Sequence, residues 1–360
     1  MTDTRAVHTR TRGARLRRPA PSLVEPVHTD LLVSPVEGGS TINELDLATE
    51  LLANARDVVL VAHIHPDADA LGSALALGMG LARRGKPVAV SFAEPDLVPE
   101  SLRGLPGAHL VVAPDDLPPH PDLLVSLDVG SVERLGSLAR LFDTCRQSLV
   151  IDHHASNTRF GQFHYVDAAA DATVVMVARI LDRLGIPIDR EMGENLYAGL
   201  ATDTGHFRHA DPDAHLLAAR LIDAGVRPPD VMLPITDSHP FGWLGMLSSV
   251  LGAAVLDTGA AQGRGLVYTI IDDDVRAGLR PEELDSVIDI LRTAQEAGVA
   301  AVLKQTSADS WQVSLRSREP INVAAAAAAL GGGGHIRAAG FTHHGDPMLA
   351  VDALRAVLDR

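Results

Sequence analysis

Three residues with metal-binding side chains lie close together in the segment HIHPDADALGS, which runs from His63 to Ser73. His63, Asp67 and Asp69 supply one imidazole and two carboxylates within seven positions, and Pro66 keeps the intervening loop extended rather than helical. An imidazole with several carboxylates suits manganese, and also iron, cobalt or zinc, better than the all-oxygen shell typical of calcium. The segment therefore predicts a divalent metal site, with manganese as the first choice.

Three further groups of acidic and histidine residues each follow a run of apolar residues. They are Asp128 at the end of DLLVSLD, the triplet Asp152, His153 and His154 at the end of SLVIDHH, and Asp203 in GLATDTGHF. A single Asp after a strand is often a helix cap or a turn former. Four such groups, each at the exit of a buried element, are better explained by one shared metal site.

The elements that carry these groups alternate short β-branched runs with longer helical patterns. The runs VVLVAH, PVAVSF, DLLVSLDV and SLVIDHH are typical of strands, and ALGSALALGMGLARRG is typical of a helix between the first two. This alternation predicts a parallel sheet covered by helices, whose strands are apolar because both faces are buried. Ligands of such sheets gather at the carboxyl ends of the strands, which is where these groups lie.

The second half of the chain has a different order of elements. A helical connector is followed by the strand GLVYTIID, a helix over PEELDSVIDILRTA, and the strands VAAVLKQT and WQVSLRSR. The sequence thus predicts an α/β protein with a parallel-sheet N-terminal domain, a smaller α+β C-terminal domain and the active site in the cleft between them. The expected boundaries are a disordered basic tail at 1–38, the metal-binding domain at 39–233, the connector at 234–262 and the second domain at 263–360.

Composition narrows the class of protein. Of 360 residues, 46% are hydrophobic and 21% charged, as in globular proteins, and no apolar run approaches the length that crosses a bilayer. The net charge of -15 argues against binding long nucleic acids through their backbone, which requires clustered Lys and Arg. Cys145 is the single cysteine and no signal peptide opens the chain, so a reducing cytoplasm is expected. Arginine greatly outnumbers lysine, which indicates a GC-rich bacterial genome.

A glycine run in the second half is a candidate anion site. Residues 331–334 offer successive backbone N–H groups without side chains, a concavity suited to a phosphate oxygen. The candidate substrate contacts here are Gly332, Gly333, Gly334 and His335. The alternative is a flexible turn after a helix.

Two arginines on a predicted strand are further candidates for substrate binding. Arg316 and Arg318 alternate along WQVSLRSR and therefore face one side of the sheet. Either guanidinium could clamp a phosphate with its planar fork. A solvated strand edge is the alternative.

Together these motifs resemble the DHH phosphoesterases, a family named after the triplet seen here at residues 152–154. The first motif of that family, a His followed by two spaced Asp residues and Gly-Ser, matches His63, Asp67, Asp69, Gly72 and Ser73. The second and fourth motifs match Asp128 and Asp203, and NVAAAAAALGGGGHIRAAG resembles the DHH-associated domain. The resemblance covers nearly everything after the tail.

The resemblance implies two divalent metal ions, Mn²⁺ first, and a role for each residue. One ion would be held by His63, Asp67 and Asp128, and the other by Asp69, Asp128, His153 and Asp203. Asp128 would then bridge the two ions. The candidate catalytic residues are Asp152, which would orient its neighbours, and His154, which would contact a substrate phosphate.

The subgroup that the chain resembles most contains nanoRNases, phosphoadenosine-phosphate (pAp) phosphatases and enzymes that hydrolyse cyclic di-AMP and pApA. The implied activity is hydrolysis of short oligoribonucleotides, pApA or cyclic di-AMP to AMP, and of pAp to AMP. A cytoplasmic homodimer without membrane or other protein partners is expected. Two alternatives stay open: an inorganic pyrophosphatase or polyphosphatase with the same metal ligands, and a protein that binds a cyclic dinucleotide without hydrolysing it.

Overall fold

The first half of the structure is organised around a five-stranded parallel sheet. The computed structural model describes residues 43–276 and 278–360, so the predicted tail at 1–38 lies outside the described residues. The strands are β1 Val58–Val61, β2 Val88–Ser91, β3 Leu123–Leu127, β4 Gln147–Asp152 and β5 Phe163–Val166. They lie in the order β2-β1-β3-β4-β5, and every neighbouring pair is parallel.

Helices cover this sheet because parallel strands can be joined only by crossover connections. The helices are α1 Glu44–Asn54, α2 Ala68–Arg83, α3 Thr173–Arg183, α4 Arg190–Asp203 and α5 Pro212–Asp223. Helix α2 joins β1 to β2 and packs closely against α4. A Cβ atom at Gly72 would lie 2.5 Å from the carbonyl oxygen of Asn195, so this close approach requires glycine in α2.

Both faces of the sheet are buried, which explains the uninterrupted apolar runs in the sequence. Val58 and Leu60 point into the core formed with the helices, whereas Val59 and Val61 point into a second core on the opposite face. A 3-10 helical segment, Val132–Asp143, covers that second face. Full burial of one such side chain contributes about 1.5–3 kcal/mol.

The strand order creates a crevice at the carboxyl ends of two neighbouring strands. The chain runs from β1 to β2 on one side of β1 and then returns to form β3 on the other side. The carboxyl ends of β1 and β3 therefore lie next to each other where the direction of winding changes. Such a point is the usual ligand site of open parallel sheets.

A different carboxylate, Asp122, stabilises the amino end of β3. Its side chain is 1% exposed and accepts hydrogen bonds from the main-chain N–H of Arg56 and from the guanidinium groups of Arg56 and Arg146. The Arg56 N–H, followed by the Arg146 side chain, lowers the pKa of Asp122 to about 2, although burial acts in the opposite direction. Asp122 thus ties the start of β3 to the segments before β1 and β4.

We expect Asp122→Asn to lower the free energy of unfolding by about 1 to 3 kcal/mol, because charged hydrogen bonds are replaced by weaker ones. The pKa of Asp122 is lowered on folding, so this stabilisation is complete above the ordinary value of about 4 and is lost as the pH falls toward 2. Urea unfolding at pH 7 and pH 3 checks both points. Asp115→Asn, at a fully exposed side chain, is the control. Equal unfolding curves for the two variants would contradict the assignment.

The second half of the structure contains a mixed six-stranded sheet. Its strands are β6 Val255–Asp257, β7 Leu266–Ile271, β8 Val299–Ser307, β9 Ser310–Ser317, β10 Gly333–His335 and β11 Ala338–His344. The order is β10-β11-β9-β8-β7-β6, and only β7 and β8 are parallel to each other. This sheet and the parallel sheet belong to one compact unit.

Eight helices accompany the second sheet and the connector in the described residues. They are α6 Pro228–Thr236, α7 Gly242–Gly252, α8 Ala260–Gly263, α9 Asp273–Arg276, α10 Pro281–Asp285, α11 Val287–Leu291, α12 Val323–Ala329 and α13 Pro347–Leu358. Within the described part of the chain, no helix is long and apolar enough to cross a membrane. The single helix predicted over PEELDSVIDILRTA is divided into the short helices α10 and α11 by Ser286, which keeps helical φ and ψ and whose hydroxyl donates to the carbonyl of Glu283.

The predicted fold class is confirmed in its main features. The N-terminal part is a parallel α/β sheet, and the C-terminal part is a smaller mixed α+β layer. The domain boundaries given above stay predictions.

Candidate metal centre

The residues predicted to bind metal meet in the crevice at the carboxyl ends of β1 and β3. His63 follows β1, Asp128 follows β3, and His153 follows β4. The other three carboxylates come from helix ends. Asp67 is the N-cap of α2, Asp69 lies in the first turn of the same helix, and Asp203 is the last residue of α4. Parallel strands and close packing of α2 on α4 therefore bring together six side chains that are far apart in sequence.

One group of ligand atoms surrounds His63. Its Nε2 atom lies 3.6 Å from Oδ2 of Asp67 and 3.6 Å from Oδ2 of Asp128. The Nδ1 atom lies 2.8 Å from the carbonyl oxygen of Ile64, which fixes the ring with Nε2 toward the carboxylates. Nitrogen and oxygen donors at these separations fit a divalent cation.

A second group surrounds His153. Its Nε2 atom lies 3.1 Å from Oδ2 of Asp203, 3.4 Å from Oδ1 of Asp128 and 3.8 Å from Oδ2 of Asp69. The atom is buried and makes no well-formed hydrogen bond with the described residues, whereas Nδ1 faces the carbonyl oxygen of Ala170 at 3.2 Å. A buried, unsatisfied nitrogen among three carboxylates fits a position that a cation fills.

Asp128 lies between the two groups. Its Oδ2 faces His63 and its Oδ1 faces His153, and the side chain is 3% exposed. The residue has a φ of 62°, in the left-handed region that Asp tolerates better than most residues. This turn at the end of β3 directs the carboxylate into the crevice, where it can contact two cations at once.

The electrostatics of the site favour cations. Burial opposes protonation of His63 and His153, but the surrounding carboxylates raise the pKa of His63 to about 10 and that of His153 to about 11. Burial, followed by the charge of Asp128, raises the pKa of Asp69. Protons are therefore retained on a cluster with excess negative charge, and divalent cations can take their place.

The two candidate catalytic residues form a hydrogen-bonded chain beside this cluster. Oδ1 of the fully buried Asp152 lies 2.7 Å from Nδ1 of His154. Its Oδ2 accepts a hydrogen bond from Asn157, whose amide also donates to the carbonyl of Val129. Burial opposes protonation of His154, but Asp152 and then Asp128 raise its pKa. The arrangement fixes the ring through Nδ1 and favours its protonated form, which leaves Nε2 for other contacts.

His335 of the second sheet lies against this imidazole. Its ring stacks on His154 with centroids 4.3 Å apart, and its centroid is 4.8 Å from that of His153. Burial, followed by the positive charges of His154 and His153, lowers the pKa of His335 to about 4, so the ring is neutral at pH 7. The three imidazoles are close enough to hold an ion themselves, and so are Asp128, Asp152 and His154.

The predicted glycine contacts form a hairpin rather than a loose turn. Gly333 and Gly334 belong to β10, where they pair with Gly340 and Ala339 of β11. Gly334 has a φ of 135°, and a Cβ atom at Gly332 would lie 2.0 Å from the Gly340 carbonyl oxygen. Glycine is thus required at positions 332 and 334 for β10, which carries His335, to pack against β11. Binding of phosphate by this segment stays a prediction.

The two predicted arginines have different surroundings. Arg316 lies on β9 opposite Ala338, half-buried, and donates to the carbonyl oxygen of Leu315. Arg318 donates to the main-chain carbonyls of Arg292, Thr293 and Gln295, just after α11. These contacts give Arg318 a role in fixing that loop, and its predicted phosphate contact stays untested.

Three residues near the site were not found from the sequence. Asn157 holds Asp152, Arg134 lies with Nη2 3.0 Å from Nδ1 of His63, and Thr173 contacts both Asp69 and Asp128. Asn157 could have been noticed as an amide three positions after the DHH triplet. Thr173 gave only the weak signal of a polar residue at the start of an apolar helix.

Comparison with known proteins supports the reading of the motifs. Residues 57–200 match the DHH family, N-terminal domain, and residues 263–360 match the DHHA1 domain. The chain is 32% identical over 309 residues to the bifunctional oligoribonuclease and PAP phosphatase NrnA of Thermus thermophilus, covering 84% of this chain and 89% of that protein. It is 26% identical to the uncharacterized MG371 homolog of Mycoplasma pneumoniae, covering 78% and 85%.

A solved structure shows the same fold. An exopolyphosphatase-related protein from Bacteroides fragilis superposes with a TM-score of 0.76 at 22% identity, covering 88% of this chain and 95% of that one. This likeness concerns the fold alone. The matched domains and the 32% identical relative show that the chain is a hydrolase of the DHH phosphoesterase family, with an N-terminal DHH domain and a C-terminal DHHA1 domain.

Proposed function

We propose that the chain hydrolyses phosphate esters of short oligoribonucleotides and of adenosine nucleotides such as pApA and pAp, with two divalent cations. The observation that carries the proposal is the shared position of Asp128 between two ligand groups, one of which contains the unsatisfied Nε2 of His153. The oligoribonuclease and PAP phosphatase activities named for the Thermus thermophilus relative support the choice of substrates.

The proposed ligand sets follow the two groups. His63, Asp67 and Asp128 would hold one cation, and Asp69, Asp128, His153 and Asp203 the other. Mn²⁺ is the first choice because imidazole and carboxylate donors are mixed. Cations bound there would supply the positive charge that activates water and stabilises a phosphate ester under attack.

The chain's own residues bind and orient the substrate. Asp152 and Asn157 hold His154 in one orientation, so that its Nε2 can donate to a phosphate oxygen or to the leaving group. His335 limits the same space from the second sheet. The reacting phosphate would therefore lie between the two sheets, which favours short substrates. Cyclic di-AMP belongs to the same chemical class and is included as a candidate.

Metal removal and substrate comparison test the proposal. We expect chelator-treated protein to be inactive, and Mn²⁺ to restore AMP release from pApA, pAp and RNA of two to five nucleotides. Cyclic di-AMP and pyrophosphate are assayed beside them. Turnover of pyrophosphate alone, or binding of cyclic di-AMP without any hydrolysis, would contradict the proposal and favour one of the alternatives. The expected homodimer and cytoplasmic location stay predictions, and light scattering tests the first.

A further inference from the structure

Two proposed ligands from different elements converge on the first residue of α3. The main-chain N–H groups of Thr173 and Val174 donate to Oδ2 and Oδ1 of Asp69 at 2.7 and 2.9 Å. The residue at the N-cap position, Ala172, supplies no side-chain cap. Asp69, 104 positions earlier in the chain, therefore caps this helix in its place.

The side chain of the same threonine reaches the other carboxylate. Thr173 Oγ1 donates to Oδ1 of Asp128 at 3.0 Å, and both residues are buried, with 0% and 3% exposure. One residue thus contacts Asp69 through its backbone and Asp128 through its hydroxyl. Helix α4 packs closely against Asp69, since a Cβ atom at Gly199 would lie 2.8 Å from the Cα atom of Asp69.

We propose that Thr173 is a positioning residue that holds the bridging carboxylate of Asp128 in register with Asp69, so that both face the same cation. The inference rests on the proposed metal centre. Two buried carboxylates repel each other, and hydrogen-bond donors offset this cost. Thr173 supplies one donor to each of them. The hydroxyl matters most for Asp128, whose left-handed backbone requires support from its surroundings.

A purely structural role predicts a different pattern of contacts. Other buried threonines donate to main-chain carbonyls, as Thr269 does to Val250 at 2.7 Å and Thr204 does to Leu200 at 2.7 Å. Thr173 instead donates to a carboxylate that points into the crevice. Hydrogen bonds to ligating groups typically change metal affinity by roughly 10- to 100-fold.

The test compares three variants of the full chain by calorimetric titration of metal-free protein with Mn²⁺. Thr173→Val removes the hydroxyl at nearly constant shape, Thr173→Ser restores it, and Thr269→Val removes an equally buried hydroxyl on β7 that donates to a main-chain carbonyl. We expect Thr173→Val to bind Mn²⁺ about 10- to 100-fold more weakly. Thr173→Ser and Thr269→Val should bind like the unchanged protein. Saturating Mn²⁺ should restore much of the activity of Thr173→Val.

The outcomes separate this inference from the proposed function. If the unchanged protein binds Mn²⁺ and Thr173→Val binds it equally well, or if Thr269→Val loses as much affinity, the positioning role is wrong while the metal centre stands. If the unchanged protein binds no divalent cation, the metal centre itself is wrong and the inference falls with it. Should Thr173→Val not fold, Thr173→Ala against Thr173→Ser gives the same comparison.

Discussion

Replacing Asp128 with asparagine is expected to lower kcat/KM by roughly 10³-fold or more, because even the partners of metal ligands are worth 10- to 100-fold. Asn has nearly the same shape but carries no charge, and its NH₂ group cannot bind a cation. Both ligand groups use Asp128, through Oδ2 on the His63 side and Oδ1 on the His153 side. The loss should therefore affect both of the proposed cations. AMP release from pApA at saturating Mn²⁺, with the Mn²⁺ stoichiometry of the purified protein, measures it.

The opposite end of β3 provides a matched control for this variant. Asp122→Asn changes another buried carboxylate, on the residue just before β3. The partners of Asp122 are Arg56 and Arg146. It should lower stability and leave kcat/KM close to that of the unchanged protein at 25 °C. An Asp128→Asn protein that retains two Mn²⁺ ions and normal turnover would show that Asp128 does not bridge.

Much of the site could be predicted from the sequence because strand ends are visible there. Apolar runs marked β1, β3 and β4, and polar residues directly after them had to share one edge if the sheet was parallel. The structure places His63, Asp128 and His153 at that edge. Asp67 and Asp69 followed from their spacing behind His63, and Asp203 from its place after a predicted helix, whereas their division between two ions followed from the resemblance to a family.

Contacts between distant elements could not be predicted in the same way. No pattern in the sequence pairs Thr173 with Asp69, because the capping distance of 104 positions is set by how α3 packs on α2. The glycine run was expected to form a concavity for an anion, with a flexible turn as the alternative, and its pairing of Gly333 with Gly340 in a strand depends on β11 lying alongside. Arg318 was a candidate for substrate contact, and its guanidinium donates to main-chain carbonyl groups just after α11. Tertiary packing determines each of these outcomes.

Replacing His154 with glutamine is expected to lower kcat by about 10²- to 10⁴-fold, the usual range for a positioned proton donor. Asp152 and Asn157 orient the imidazole, and Asp152 and Asp128 raise its pKa against the effect of burial, so the protonated ring is favoured. Glutamine can still donate a hydrogen bond but supplies neither the charge nor a transferable proton. Single-turnover rates with pApA measure the change.

Metal binding distinguishes this effect from that of Asp128→Asn. Nδ1 of His154 lies 2.7 Å from Asp152, and the ring belongs to neither proposed ligand set, so His154→Gln should bind Mn²⁺ with the affinity of the unchanged protein. His120→Gln, at an exposed ring that contacts Thr144, controls for the loss of a histidine. A parallel loss of Mn²⁺ affinity and kcat would make His154 a metal ligand instead of a phosphate contact. If Asn157 and Asp152 orient His154 for contact with the reacting phosphate, the His154→Gln protein should bind Mn²⁺ normally and turn over slowly.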